Sequence, residues 1–220
     1  MDQQKNINVV TLMLTAVAGY CDTVTFVSGD TIFSAHVTGN FIVFAYQMVS
    51  GGSIDAWIKL ITFPVFIIAV ITGGWMASRS KQDNKILLFE AILLIAAGIL
   101  SVFFYIKGDE KIVMYAVVML VVFALGLQNA FGKLFSKATH GPTTMMTGNV
   151  TQASLDIGTL ITNKFKGTDA LISFKKQLIT ISGFLAGCVS GAFAGMQFGL
   201  AAVLLAGISM LFCYILSCRE

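Results

Sequence analysis

Asp22, His36, Gln152 and Asp156 are ionisable or strongly polar residues set in runs otherwise apolar enough to lie in lipid. An acidic side chain at such a depth costs about 2.5–3.5 kcal/mol on insertion scales unless it is paired or hydrated. Asp22, in "AGYCD", is therefore the foremost candidate for a proton- or cation-linked role; the competing reading is a carboxylate hydrated near the outer interface. Histidine is the side chain able to change charge near neutral pH, and His36, four residues before Asn40, either relays protons or tethers a loop. Gln152 and Asp156, at i and i+4, share one helix face, directed at a polar cavity or at cytoplasmic headgroups.

The triplet Thr-Gly-Asn occurs twice, as Thr38-Gly39-Asn40 and Thr147-Gly148-Asn149, 109 positions apart. Each precedes a weakly apolar run suited to a short helix. Thr38 and Thr147 are expected to cap freed amides, Gly39 and Gly148 to permit a turn, and Asn40 and Asn149 to face a shared polar cavity. A helix starting at membrane depth points its positive dipole end inward, a setting for anionic or polar solutes. The alternative is a pair of polar kinks that only lock helix packing.

Other polar residues read more plainly. Glu90 is expected near the cytoplasmic end of its helix, paired with Lys85 or Arg79. His140, beside Gly141-Pro142, reads as a turn at the cytoplasmic mouth. Cys21, Cys188, Cys213 and Cys218 have no CxxC or His-Cys spacing and read as small membrane-buried residues. No Walker A loop, GxSxG elbow, HExxH or nucleotide fingerprint occurs. The expectation is a protein that is not an enzyme, uses no cofactor or metal, and binds no nucleic acid.

The elements that must position these residues follow from composition. The 220 residues are 56% hydrophobic and only 11% charged, against about 25% charged in a soluble domain. The fold class is all-α: a polytopic membrane protein forming a single transmembrane domain over 1–220. Six runs are long enough to span, at approximately 7–29, 58–78, 86–106, 112–132, 177–197 and 199–217. The first resembles a signal peptide at Ala16-Val17-Ala18, but its sparse positive flank favours an uncleaved span. The Thr-Gly-Asn segments, about 31–52 and 139–161, are poor spans or re-entrant hairpins.

Charge arbitrates between these. With both segments re-entrant and both termini cytoplasmic, eleven of the 14 Lys and Arg residues lie inside, and only Lys59, Lys107 and Lys111 outside; an eight-span model is less asymmetric. Six spans plus two re-entrant or broken-helix segments make two three-span halves, approximately 7–106 and 112–217. Three crossings is odd, so the halves form an inverted repeat, an architecture with sites near the midplane. Asp22 then aligns with Asn129. The small face Ala69, Gly73, Ala77 aligns with Gly183, Gly187, Gly191, Gly195 and Gly199, which serves tight internal packing or a homo-oligomer seam. Pro64 is positioned to kink its helix.

"AGYCD", "FSAHVTGN" and "MTGNVTQASLDIG" resemble the YoaK-like family of small bacterial multi-pass membrane proteins, over essentially the whole chain. That resemblance implies a bacterial plasma (inner) membrane and a family of unknown function, with no functional residues to carry over. The residues themselves point to a small secondary transporter or channel for a small polar or anionic solute, its path at the paired Thr-Gly-Asn segments, with the lipid bilayer and that solute as partners. The rival is a non-transporting structural or assembly protein.

Overall fold

The computed structural model describes residues 2–51, 54–79, 84–107 and 111–218. Among these, all regular structure is helical: α1 (Asp2–Ser28), α2 (Gly39–Val49), α3 (Ile58–Arg79), α4 (Lys85–Lys107), α5 (Lys111–Leu134), α6 (Met146–Thr162), α7 (Thr168–Phe198) and α8 (Val203–Ser217). Short 3-10 turns, Ile54–Trp57 and Gly199–Ala202, precede α3 and α8. Lys81 and Arg219, used in the charge argument, lie outside the described residues.

Five continuous stretches are long and apolar enough to cross a membrane: Asn6–Ser28, Asp55–Arg79, Lys85–Phe103, Lys111–Leu134 and Thr168–Ser217. The last combines α7 and α8, divided where Gly199 takes φ +58. α7 begins at Thr168, ahead of the expected start near 177, and at about 1.5 Å per residue its 31 residues exceed a hydrocarbon core. Pro64 lies inside α3 without ending it. α2, 11 residues and about 16 Å long, cannot span; α6 is longer, at 17 residues.

The helices pack mostly between the two halves of the chain. α1 lies along α7, α3 along α5, and α4 against both α8 and α5, while α1 also meets α8. α2 packs on α3, and α6 on α7. Small residues set the closest approaches, as expected where apolar burial alone gives little discrimination between helix faces. A Cβ on Gly187 would lie 2.1 Å from the Ala16 carbonyl oxygen, and one on Gly191 2.5 Å from that of Tyr20. Across the second seam, added Cβ atoms on Gly73 and Gly126 would lie 2.6 Å from the methyls of Ala130 and Ala69.

Gly183, Gly187, Gly191 and Gly195 are buried and lie against α1 of the same chain, so these four glycines serve internal packing; Gly199 stands at the break and faces no atom within 4 Å.

Candidate functional site

Asp22 sits within α1, 5% exposed, in the helix that α7 and α8 enclose. Beyond α1 the chain folds back along it, and the carboxylate receives that segment. Asp22 Oδ1 accepts the amide of Ala35 at 2.7 Å and that of His36 at 3.3 Å. Its Oδ2 meets His36 Nδ1 at 2.6 Å. A buried carboxylate is tolerable only with such partners, and here one oxygen takes backbone while the other takes a titratable ring. The imidazole is about one-third exposed and stands edge-on to Phe184, with centroids 5.5 Å apart. Asn129 of α5, which the sequence spacing sets against Asp22, donates from Nδ2 to Thr144 Oγ1 at 2.7 Å. A neutral amide finds a neutral hydroxyl, and Met145 stands where the triplet spacing puts the counterpart of His36.

The triplets are built differently from the sequence expectation. Thr38 occupies the N-cap of α2, but its side chain makes no capping bond; Thr147 lies inside the first turn of α6, whose N-cap is Met145. The first α2 amides are instead taken by a tight turn, Gly39 N–H to His36 C=O at 2.8 Å and Asn40 N–H to Val37 C=O at 3.2 Å. Neither Gly39 nor Gly148 has positive φ; the left-handed residues are Asp30 and Thr31 before α2 and Gly141 before α6. A Cβ on Gly39 would press the Phe33 ring at 3.0 Å, whereas one on Gly148 would meet nothing within 4 Å.

Both asparagine side chains are engaged by nearby groups. Asn40, fully buried, binds both backbone groups of Phe33 and donates to Thr62 Oγ1 at 3.0 Å. Asn149 donates to the Pro142 carbonyl at 2.9 Å. Each asparagine thus holds the backbone seven residues before it. Both amides hold the segment entering the helix.

Gln152 Nε2 donates to Asp156 Oδ1 at 2.9 Å along α6. Asp156 is 6% exposed, and its Oδ2 has no hydrogen-bond partner among the described residues. His140 Nε2 donates to Asn8 Oδ1 at 2.5 Å. Burial, aided by the nearby Lys176 charge, lowers its pKa below the ordinary histidine value.

Three features escaped sequence reasoning. Glu90 does not pair with Lys85 or Arg79: it is fully buried in α4, neither carboxyl oxygen has a partner among the described residues, and Cys21 and Cys213 are its neighbours. Arg79 stacks on Trp75 instead, 4.5 Å from the ring centroid. Position alone suggested an interfacial acid; the helical phase shared with Ile86, Leu87, Ala91 and Leu94 turns Glu90 inward. Gln128, one residue before Asn129, donates to the Leu14 carbonyl at 2.8 Å and to Thr143 Oγ1 at 2.9 Å, tying α5 to α1. Finally, Lys59 is fully buried with its ammonium on Asp30 Oδ2, which also accepts the Tyr115 hydroxyl at 3.0 Å. The sequence signal was a lone Lys at a span's start, read only as a topology charge. Among the described residues no three His, Cys, Asp or Glu side chains converge as metal ligands.

Compared with known proteins, residues 10–216 match a family described as "Protein of unknown function (DUF1275)". No curated protein and no solved structure is found to be similar.

Proposed function

This chain belongs to the DUF1275 family, and we propose that it is a small secondary transporter or channel for a small polar or anionic solute, with two three-span halves inserted in opposite senses. The long apolar helices are consistent with a membrane protein. The reading extends to a YoaK-like protein of a bacterial inner membrane with both termini in the cytoplasm. The packing supports the repeat: exchanging α1–α4 with α5–α8 turns α1 on α7 into α5 on α3, and α4 on α5 into α8 on α1, contacts that are all present. The Asn40 and Asn149 staples correspond under the same exchange.

The observation that carries the transport reading is the Asp22–His36 pair, an acid and a base 2.6 Å apart inside a run otherwise fit for lipid. Ionisable groups at such positions mark ion or proton pathways. Asp22 binds the amides of residues 35 and 36, so its charge also sets where the returning segment lies. Neutralising it weakens both amide bonds and the bond to His36 together, which links a proton to the position of the segment entering α2. Asn129 in the other half is neutral, so proton coupling is confined to one side of the repeat.

The test is flux in proteoliposomes under an imposed pH gradient, with a panel of small polar and anionic solutes. Wild-type protein is expected to move at least one solute with a pH dependence that Asp22→Asn and His36→Gln flatten. Unchanged pH dependence in both variants removes the pair from the mechanism. A second reading, a non-transporting structural or assembly protein, is favoured by Asn40 and Asn149 spending their amides on local backbone; absence of flux for every solute selects it. The inverted insertion is tested separately, by single cysteines at Gly51 and Lys166 in a Cys218→Ser background. They label from opposite sides if the halves are inverted.

A further inference from the structure

A cavity of about 400 Å³ opens beside the C-terminal end of α1, lined by Asp30, Gln47, Asp55, Lys111 and Tyr115 among others. Its polar wall draws on α2, α5, the turn before α3 and the link after α1, elements far apart in sequence. Two ion pairs border it, and they differ in kind. Lys59 is fully buried behind the wall and holds Asp30, whose other bond comes from Tyr115; breaking that pair would strand a buried ammonium. Lys111 and Asp55 pair at the rim at 3.2 Å, with side chains 75% and 36% exposed. A bridge so exposed contributes about 0–1 kcal/mol, so a ligand can part it at little cost. The backbone at Asp30 is left-handed, φ 58, followed by Thr31 at φ 57, and non-glycine residues held in this way cluster at ligand sites.

We propose that this cavity is a binding site for a small zwitterion, a molecule carrying one ammonium and one carboxylate. Among the described residues the four charged groups, Asp30 and Asp55 against Lys59 and Lys111, balance and so favour a ligand that carries both signs of charge. A zwitterion replaces the one rim bridge by two: its ammonium on Asp55 and its carboxylate on Lys111, with Gln47 and the Tyr115 ring completing the wall. The volume is at the small end of the range for ligand pockets. The site is distinct from the Asp22–His36 pair and does not rest on transport.

Binding is measured on the full chain in detergent, by thermal shift and titration calorimetry, with glycine and L-alanine as zwitterions and acetate and ethylammonium as singly charged probes. At least one zwitterion is expected to stabilise the protein, with affinity falling about tenfold or more in Asp55→Asn and in Lys111→Gln, the worth of one charge-assisted hydrogen bond. Both substitutions lie at the exposed rim, and unchanged melting of the ligand-free variants certifies their fold. Equal binding of ethylammonium or acetate, no binding by either zwitterion, or affinities indifferent to both variants overturns the proposal. Binding together with absence of flux for every solute leaves it standing while removing the transport reading.

Discussion

Asn40 clasps the backbone of Phe33 with both ends of its amide, Oδ1 accepting the Phe33 N–H and Nδ2 donating to its C=O, each at 2.8 Å. Asn149 can make only half of this clasp, because the residue seven positions before it is Pro142, which has no N–H. Truncation therefore has unequal effects. Asn40→Ala leaves a part-buried N–H and C=O of Phe33 without this partner, at up to about 1–3 kcal/mol each; Asn149→Ala leaves one carbonyl. Unfolding in detergent should show Asn40→Ala the more destabilising by at least about 1 kcal/mol. Equal losses would falsify the staple assignment.

The α1–α7 seam yields a second prediction. In Gly187→Ala the new methyl would sit 2.1 Å from the Ala16 carbonyl oxygen, a clash with backbone that no rotamer relieves. Folded yield should collapse. Gly148→Ala adds the same methyl within helix α6 and meets no atom, so it should be neutral or stabilising by about 0.5–1 kcal/mol. Gel-filtration yield separates the two, and a well-folded Gly187→Ala protein would show that the helices do not approach this closely.

Thr31 is β-branched at φ 57, a conformation that costs about 1–2 kcal/mol outside glycine. Its hydroxyl recovers part of this by donating to the Asp30 carbonyl at 2.7 Å. Thr31→Gly should raise the melting temperature, by an amount equivalent to at most about 1 kcal/mol. A fall in melting temperature would mean that the side chain contributes more than the backbone strain removes.

His140 gives a pH prediction. Its pKa is lowered in the folded protein, by burial first and Lys176 second, so the unfolded chain binds its proton more readily. Stability from this residue is complete above the ordinary histidine value and declines as pH falls through about 6.5. Melting curves from pH 8 to 5 should therefore fall more steeply for wild type than for His140→Gln. Parallel curves would exclude the effect.

The all-helical class and the long apolar helices were legible because composition and run length report them directly, and the triplet spacing located both helix-entry segments. What the triplets do was not legible. An asparagine in an apolar run looks the same whether it faces a cavity or grips the backbone seven residues away. Facing was equally hidden: α3 and α4 are apolar on nearly every side, so no polar stripe announced that Glu90 and Lys59 turn inward. The glycine ladder was visible, but only the fold says that its partner is α1, through Ala16 and Tyr20.

The pairing of α1 with α7 has a consequence for how the chain is made. α1 leaves the ribosome some 150 residues before its partner α7, and the seam of α3 waits in the same way for α5. Most of the packing crosses between the halves, so a product truncated after α4 leaves Ala16, Gly19 and Gly73 without the helices that close over them. The two halves, expressed as separate polypeptides, should each be short-lived alone and persist when made together.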